Sequence, residues 1–233
     1  MSHHKPLIIA LDFASRAEAE SLVGLLDPNL CRVKVGKEMF TRFGPAWVEW
    51  LQKQNFEVFL DLKFHDIPTT VAKAVRAASA LGVWMVNVHA SGGPRMLEAA
   101  VESLANVDEP PLLIGVTVLT SMDSSELSAV GVSRPLDEQV KALAKLCQQT
   151  GLNGVVCSAH EAQSIKATCG ESFLTVTPGI RPKWAAGNDQ TRIMTPSEAL
   201  ASGSDYLVVG RPVTASSDPK ASLARLAEEI SLT

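Results

Sequence analysis

The chain is predicted to fold as an α/β protein, a single-domain (β/α)8 TIM barrel, and three observations carry that expectation. Eight short apolar runs rich in Val, Ile and Leu alternate with longer Ala- and Glu-rich helical segments along 233 residues, about the length of one such barrel. No proline- or serine-rich linker divides them, so residues 1–233 read as one domain. The first strand is followed by Asp12-Phe13-Ala14-Ser15, and no Gly-x-Gly-x-x-Gly occurs in the chain. A doubly wound open sheet, the nearest alternative, would be expected to show a glycine-rich dinucleotide turn at that point.

The elements follow in order. Strand 7–12 leads to helix 16–26 and leaves Asp12 at the strand end. Strand 32–36 leads to helix 45–54, and because Val33 and Val35 alternate with Lys34, the lysine takes the opposite, inward face. Strand 58–63 leads to helix 68–81. Strand 85–89 ends on His89 and leads to helix 94–105. Strand 112–118 leads to helix 136–150, with Thr117 and Thr120 flanking the strand's end. Strand 154–157 leads to helix 159–168, and strand 174–177 to helix 196–202 by way of a long polar loop carrying Arg181. Strand 206–209 runs into Gly210-Arg211 before helix 219–230. Pro45, Pro68, Pro94, Pro196 and Pro219 open five of the helices, where a missing N–H and a fixed φ cost nothing. Barrel catalysis uses strand C-termini and the loops beyond them, so these polar residues are expected to meet at one mouth.

Composition narrows the function. Apolar residues make up 46% and charged residues 20% of the chain, which suits a large core and not a disordered segment. A formal net charge of −4 leaves no basic footprint for nucleic acid, so a small-molecule partner is expected. Cys31, Cys147, Cys157 and Cys169 form no Cys-x-x-Cys and have no histidine at zinc spacing, which reads as reduced thiols of a cytoplasmic protein. Met1-Ser2-His3-His4-Lys5 opens directly onto a strand without a signal-peptide apolar region, and no run reaches membrane length. A soluble, cytoplasmic protein with no membrane partner is the expectation.

The chemistry concentrates in Asp61-Leu62-Lys63-Phe64-His65-Asp66-Ile67-Pro68. Strict alternation puts Phe59, Asp61 and Lys63 on one face and Leu60, Leu62 and Phe64 on the other. Both faces of a parallel barrel sheet are covered, so a carboxylate and an ammonium on one face are paired or used. Lys34 is expected to face the same cavity. Two ammonium groups there repel unless acids alternate with them, and Asp61 and Asp66 can supply those acids. A Lys-Asp-Lys-Asp array holds Lys63 as a fixed ammonium, suited to stabilising a carbanion and then protonating it. A Schiff-base lysine would instead want desolvation or a cationic neighbour without compensating acids. Magnesium would favour oxygen ligands, but Lys63 sits between the two acids and no third acid lies in the stretch, so no required metal is expected. Asp66 could alternatively cap the helix that begins at Pro68, as could Thr69.

An anion site is expected at the other end of the chain. Tyr206-Leu207-Val208-Val209 ends in Gly210-Arg211, and barrel loops after strands seven and eight often bind phosphate through backbone N–H groups. Gly210 permits close approach, and Arg211 offers a bidentate partner. The segment from Thr177-Pro178-Gly179-Ile180-Arg181-Pro182 to Gln190 is long and polar, as a lid over an anion would be.

Taken together, Asp61-x-Lys63-x-x-Asp66-Ile67-Pro68, Val116-Thr117-Val118-Leu119-Thr120-Ser121, Pro178-Gly179-Ile180-Arg181-Pro182 and Val209-Gly210-Arg211-Pro212 resemble the orotidine 5′-phosphate decarboxylases of the bacterial type, from Leu11-Asp12 to Pro212. The resemblance implies a homodimeric barrel that converts orotidine 5′-monophosphate to UMP and carbon dioxide without cofactor or metal. It implies that Lys63 is the proton donor, with Lys34, Asp61 and Asp66 completing the array. Asp12 and Lys34 would hold ribose hydroxyls, and Asp66 and Thr70 would reach the ribose in the other subunit. Thr120 would contact the pyrimidine, with Ser121 its adjacent rival, and Arg181, Gln190, Gly210 and Arg211 would form the phosphate and lid end. No position departs from the pattern. The alternative on the same scaffold is a magnesium-dependent hexulose-phosphate synthase or keto-gulonate-phosphate decarboxylase, against which Ile67-Pro68-Thr69-Thr70 and the loop 178–190 weigh. A non-catalytic nucleotide sensor could discard Lys63 or Asp61, and both are present.

Overall fold

The computed structural model describes residues 5–185 and 194–231. Eight parallel strands close into a barrel in sequence order: β1 (Leu7–Leu11), β2 (Arg32–Gly36), β3 (Val58–Phe64), β4 (Met85–His89), β5 (Leu112–Val116), β6 (Gly154–Val156), β7 (Leu174–Thr177) and β8 (Tyr206–Val209). Pairing of Leu7 with Leu207 and of Ile9 with Val209 completes the ring. The helices between and after them are α1 (Arg16–Val23), α2 (Lys37–Phe43), α3 (Pro45–Lys53), α4 (Pro68–Ala80), α5 (Pro94–Glu102), α6 (Ser124–Ala129), α7 (Leu136–Gln149), α8 (Ala159–Cys169), α9 (Pro196–Ala201), α10 (Arg211–Thr214) and α11 (Pro219–Ser231).

Strand alternation divides the apolar residues between two cores. Leu7, Ile9 and Leu11 of β1, Val33 and Val35 of β2, and Val58 and Leu60 of β3 face the helix layer. Ile8, Ala10, Phe59, Met85, Ile114 and Val208 fill the barrel interior. Ala10, Lys34, Phe59 and Met85 occupy successive register positions around the ring, so Lys34 enters the interior on the geometry its neighbours predict. The N-terminal end of the barrel is plugged. Arg32 lies with its guanidinium 4.0 Å from the Trp84 ring centroid and 5.5 Å from that of Tyr206, and pairs with Glu57 at 3.2 Å. Solvent and ligand therefore meet the interior from the opposite, C-terminal mouth.

All eight predicted strands and their following helices are present, with ends shifted by up to three residues. The fifth strand stops at Val116 and not at 118; its register with β6 ends at Val156, whose carbonyl still accepts the Thr117 N–H at 3.3 Å. Three helices were not predicted. α2 starts directly at the end of β2 and buries only Met39, too little apolar surface for a visible period. α6 is announced by a capping box, with Asp123 and Glu126 each accepting the other's backbone N–H. α10 is a single turn after Gly210. Among the described residues no helix is long and apolar enough to cross a membrane, and all four cysteines are free and buried.

Candidate active site

Three adjacent strands, β1 to β3, deliver a row of charges to the C-terminal mouth, and β4 adds an amide. Asp61, 8% exposed, lies at its centre. Its Oδ1 accepts from Lys63 Nζ at 2.5 Å and from Asn87 Nδ2 at 2.7 Å, and its Oδ2 lies 3.2 Å from Lys34 Nζ. Lys34 in turn stands 3.7 Å from Oδ1 of the more exposed Asp12. Burial alone would push the Asp61 carboxyl up, but the charges of Lys34 and Lys63 and the hydrogen bonds from Lys63 and Asn87 outweigh it and hold the group below the ordinary carboxylate range. Gly36 lies close beneath this pair: a Cβ there would come 3.3 Å from Asp12 Oδ1 and 3.4 Å from Lys34 Nζ.

Lys63 reaches the cavity by a route that alternation does not describe. Leu60 pairs with Val86, but the next pairing joins Phe64 to Val88, so β3 spends four residues where β4 spends two. Lys63 sits in this bulge at φ +52°, in the left-handed region, which is uncommon for any residue but glycine. Its N–H, lost to the ladder, donates to Oδ1 of Asn87 at 2.8 Å. Asn87 was not singled out from sequence. The available signal was an amide at an inward position of the apolar run Met85-Val86-Asn87-Val88, where a buried polar side chain requires a partner. His89 also approaches the site, its ring 5.4 Å from that of His65; burial first, and then the neighbouring His65, Lys37 and Lys63, push its pKa below the ordinary imidazole value.

Asp12, Lys34, Asp61, Lys63 and Thr120 line a cavity of about 360 Å³ whose remaining wall includes Phe59, Val116, Val156 and Val208. Thr120, and not Ser121, is the hydroxyl on that wall. A second cavity of about 390 Å³ shares Asp12, Gly179, Val208 and Gly210 with the first and adds Arg181 and Arg211. The two form one cleft with a charged, partly apolar end and an arginine end. Arg181 is buried and Arg211 exposed. Gln190, expected at the lid, lies outside the described residues.

Asp66 and Thr70 depart from this gathering. Both are exposed, neither lines the cleft, and among the described residues Asp66 makes no ion pair within the chain. Within one chain the expected four-membered array is thus a row of three, Lys34-Asp61-Lys63. Helix capping does not account for Asp66 either. The N-cap of α4 is Ile67, with no side-chain cap bond, and among the described residues Asp66 Oδ1 accepts only the adjacent Ile67 N–H, at 2.6 Å.

Comparison with known proteins fits this geometry. The family model described as orotidine 5′-phosphate decarboxylase / HUMPS family matches residues 5–226. The chain is 55% identical to the orotidine 5′-phosphate decarboxylase of Shewanella sediminis over 99% of both chains. It is 58% identical to that of Saccharophagus degradans, over 96% of this chain and 94% of the relative. Among solved structures, the orotidine 5′-phosphate decarboxylase of Lactobacillus acidophilus superposes with a TM-score of 0.85 at 38% identity, over 97% of this chain and 99% of that one. An uncharacterized conserved protein from Geobacillus kaustophilus gives the same TM-score at 44% identity, over 97% of this chain and all of that one. The chain belongs to the orotidine 5′-phosphate decarboxylase / HUMPS family.

Proposed function

We propose that this barrel decarboxylates orotidine 5′-monophosphate to UMP and carbon dioxide, the last step of UMP synthesis, with Lys63 as proton donor and without metal or cofactor. The observation that carries the reading is the row Lys34-Asp61-Lys63 at one end of a cleft whose other end holds Arg181 and Arg211. Relatives sharing more than half of the sequence bear the name of this activity. In the reaction the bond from C6 to the carboxylate breaks, carbon dioxide leaves, and the electron pair stays on C6 in an orbital with no π-system to drain it. A fixed ammonium beside that atom stabilises the developing charge directly. Lys63 then passes one Nζ proton to C6, becomes a neutral amine and regains its proton from solvent.

The remaining cleft residues take roles along the nucleotide. Asp12 and Lys34 suit the ribose hydroxyls, Thr120 the pyrimidine edge, and Arg181, Gln190, Gly210 and Arg211 the phosphate. Binding energy from the phosphate can organise the reacting end, so a substrate lacking it should lose turnover as well as affinity. The donor set supports a metal-free site. Magnesium takes carboxylate and water oxygens, and both Asp61 oxygens already face ammonium or amide donors. Purified protein in EDTA should consume orotidine 5′-monophosphate, followed by absorbance, at the rate seen with added magnesium. Turnover that appears only with magnesium and a sugar phosphate would move the protein to the synthase branch of the family.

Asp66 and Thr70 belong, on this reading, to the site of a second subunit in a cytoplasmic homodimer of one-domain barrels, which completes the array as Lys-Asp-Lys-Asp. Their exposure beside Ile67, 64% exposed, supports that direction. Mixing inactive Lys63→Ala and Asp66→Ala homodimers under subunit exchange should restore activity, because each mixed dimer holds one intact site. Exchange verified by mass without recovered activity would return Asp66 to its own chain.

A further inference from the structure

The interior amide of β4 has both of its polar atoms committed to the reacting pair. Asn87 is 0% exposed. Its Nδ2 donates to Asp61 Oδ1 at 2.7 Å, and its Oδ1 accepts the Lys63 N–H at 2.8 Å. It therefore grips the carboxylate by its side chain and the lysine by its backbone. The two contacts fall where the β3–β4 ladder has slipped, between the Leu60–Val86 and Phe64–Val88 pairings, so the amide stands in for backbone partners that the bulge removes. Lys63 holds φ +52° at that point, a conformation that survives only where its surroundings enforce it.

We propose that Asn87 is a positioning residue for the decarboxylation, clamping the Asp61 carboxylate and the Lys63 backbone so that the ammonium is aimed into the cleft. The inference rests on the reading of Lys63 as proton donor. Without the amide, the Lys63 N–H loses its acceptor and is free to leave the left-handed region, and Asp61 loses the neutral donor that fixes one oxygen. The side chain of Lys63 would then sample orientations away from the cavity. Misplacement of a reacting group by about 1 Å costs on the order of 10²-fold in rate. Asn87 lines neither cavity of the cleft, so ligand affinity should survive its loss.

Two variants test this against a purely structural role. Asn87→Ala should fold, bind UMP with a Kd within about threefold of wild type and lose about 10²-fold in kcat on orotidine 5′-monophosphate. Asn87→Asp guards against misfolding, because it keeps the shape. Its carboxyl matches the amide's donor and acceptor only when protonated, and when ionised it repels Asp61. The groups facing that position are Asp61 and Lys63 on β3, Lys34 on β2 and His89 further along β4, while its β5 partner Ile114 is apolar. The kcat deficit of Asn87→Asp should therefore shrink on acidification and widen at alkaline pH, between about pH 6 and about pH 9, a range in which buried carboxyls titrate. Either variant, folded by circular dichroism and within threefold of wild-type kcat across that range, overturns the proposal, as does a rate loss matched by an equal loss of UMP affinity. A wild-type protein that fails to turn over orotidine 5′-monophosphate would instead refute the underlying reading, whatever the variants do.

Discussion

Replacing Lys63 with alanine is expected to lower kcat on orotidine 5′-monophosphate by about four to seven orders of magnitude while the protein stays folded. The side chain supplies two separable contributions. A positioned proton donor accounts for about 10² to 10⁴, and a preorganised charge beside a developing carbanion for about 10² to 10³. Asp61, with Lys34 still 3.2 Å away and Asn87 at 2.7 Å, keeps an ion pair and a hydrogen bond in the variant, so the carboxylate is not orphaned. Affinity for UMP should fall far less than kcat, because the arginine end of the cleft is untouched. The assay is single-turnover absorbance at high enzyme concentration beside a UMP titration. A residual rate within tenfold of wild type would remove Lys63 from the chemistry.

Asp61→Asn is expected to be the second most damaging change, with kcat reduced about 10³-fold and stability lowered as well. Asparagine preserves the shape but leaves the ammonium groups of Lys34 and Lys63 facing a neutral amide. Removing one partner of a buried ion pair strands the other charge, a costlier outcome than never having had the pair. Here one change strands Lys63 and leaves Lys34 only the more exposed Asp12, at 3.7 Å. The pH dependence has a definite sign. The folded-state pKa of Asp61 lies below its ordinary value, so its contribution to stability is complete above about pH 4, the unfolded value, and is lost as the pH falls through the lower folded value. The difference in urea unfolding free energy between wild type and variant should thus be flat from neutrality down to about pH 4 and shrink below it. A difference that already shrinks near pH 6 would mean that the carboxyl is not held by the two lysines.

Much of this was legible in the one-dimensional pattern, and the exceptions share a cause. Lys34 was placed inside the barrel because Val33 and Val35 mark the other face, and Asp61 because Leu60 does; both inferences need only a period of two. The strand ends at Leu11 and Val209 lead directly to Asp12 and Gly210, so that part of the mouth could be assembled from topology. Lys63 was assigned to the correct cavity by a rule it does not obey, since the register slip between Leu60 and Phe64 depends on what β4 offers across the gap. The apolar run around Asn87 signals a buried amide in need of a partner, but which partner it takes is decided by the facing strand. For Asp66, spacing alone leaves open whether it faces its own cavity or a neighbour's. Its exposure beyond the end of β3 shows that spacing along a chain does not fix direction once the strand has ended.

Closure of the ring between β1 and β8 has a consequence for the order of assembly during synthesis. Leu7 pairs with Leu207, a contact spanning almost the entire chain, and contacts of such sequence separation form slowly. Until the eighth strand has left the ribosome, the nascent sheet has two open edges, and such edges invite aggregation. Asp12 and Gly210, which flank that final seam, become neighbours only at closure. A partly synthesised chain can thus gather Lys34, Asp61 and Lys63 but cannot bring the arginine end of the cleft to them, and turnover should begin only when the last strand is seated.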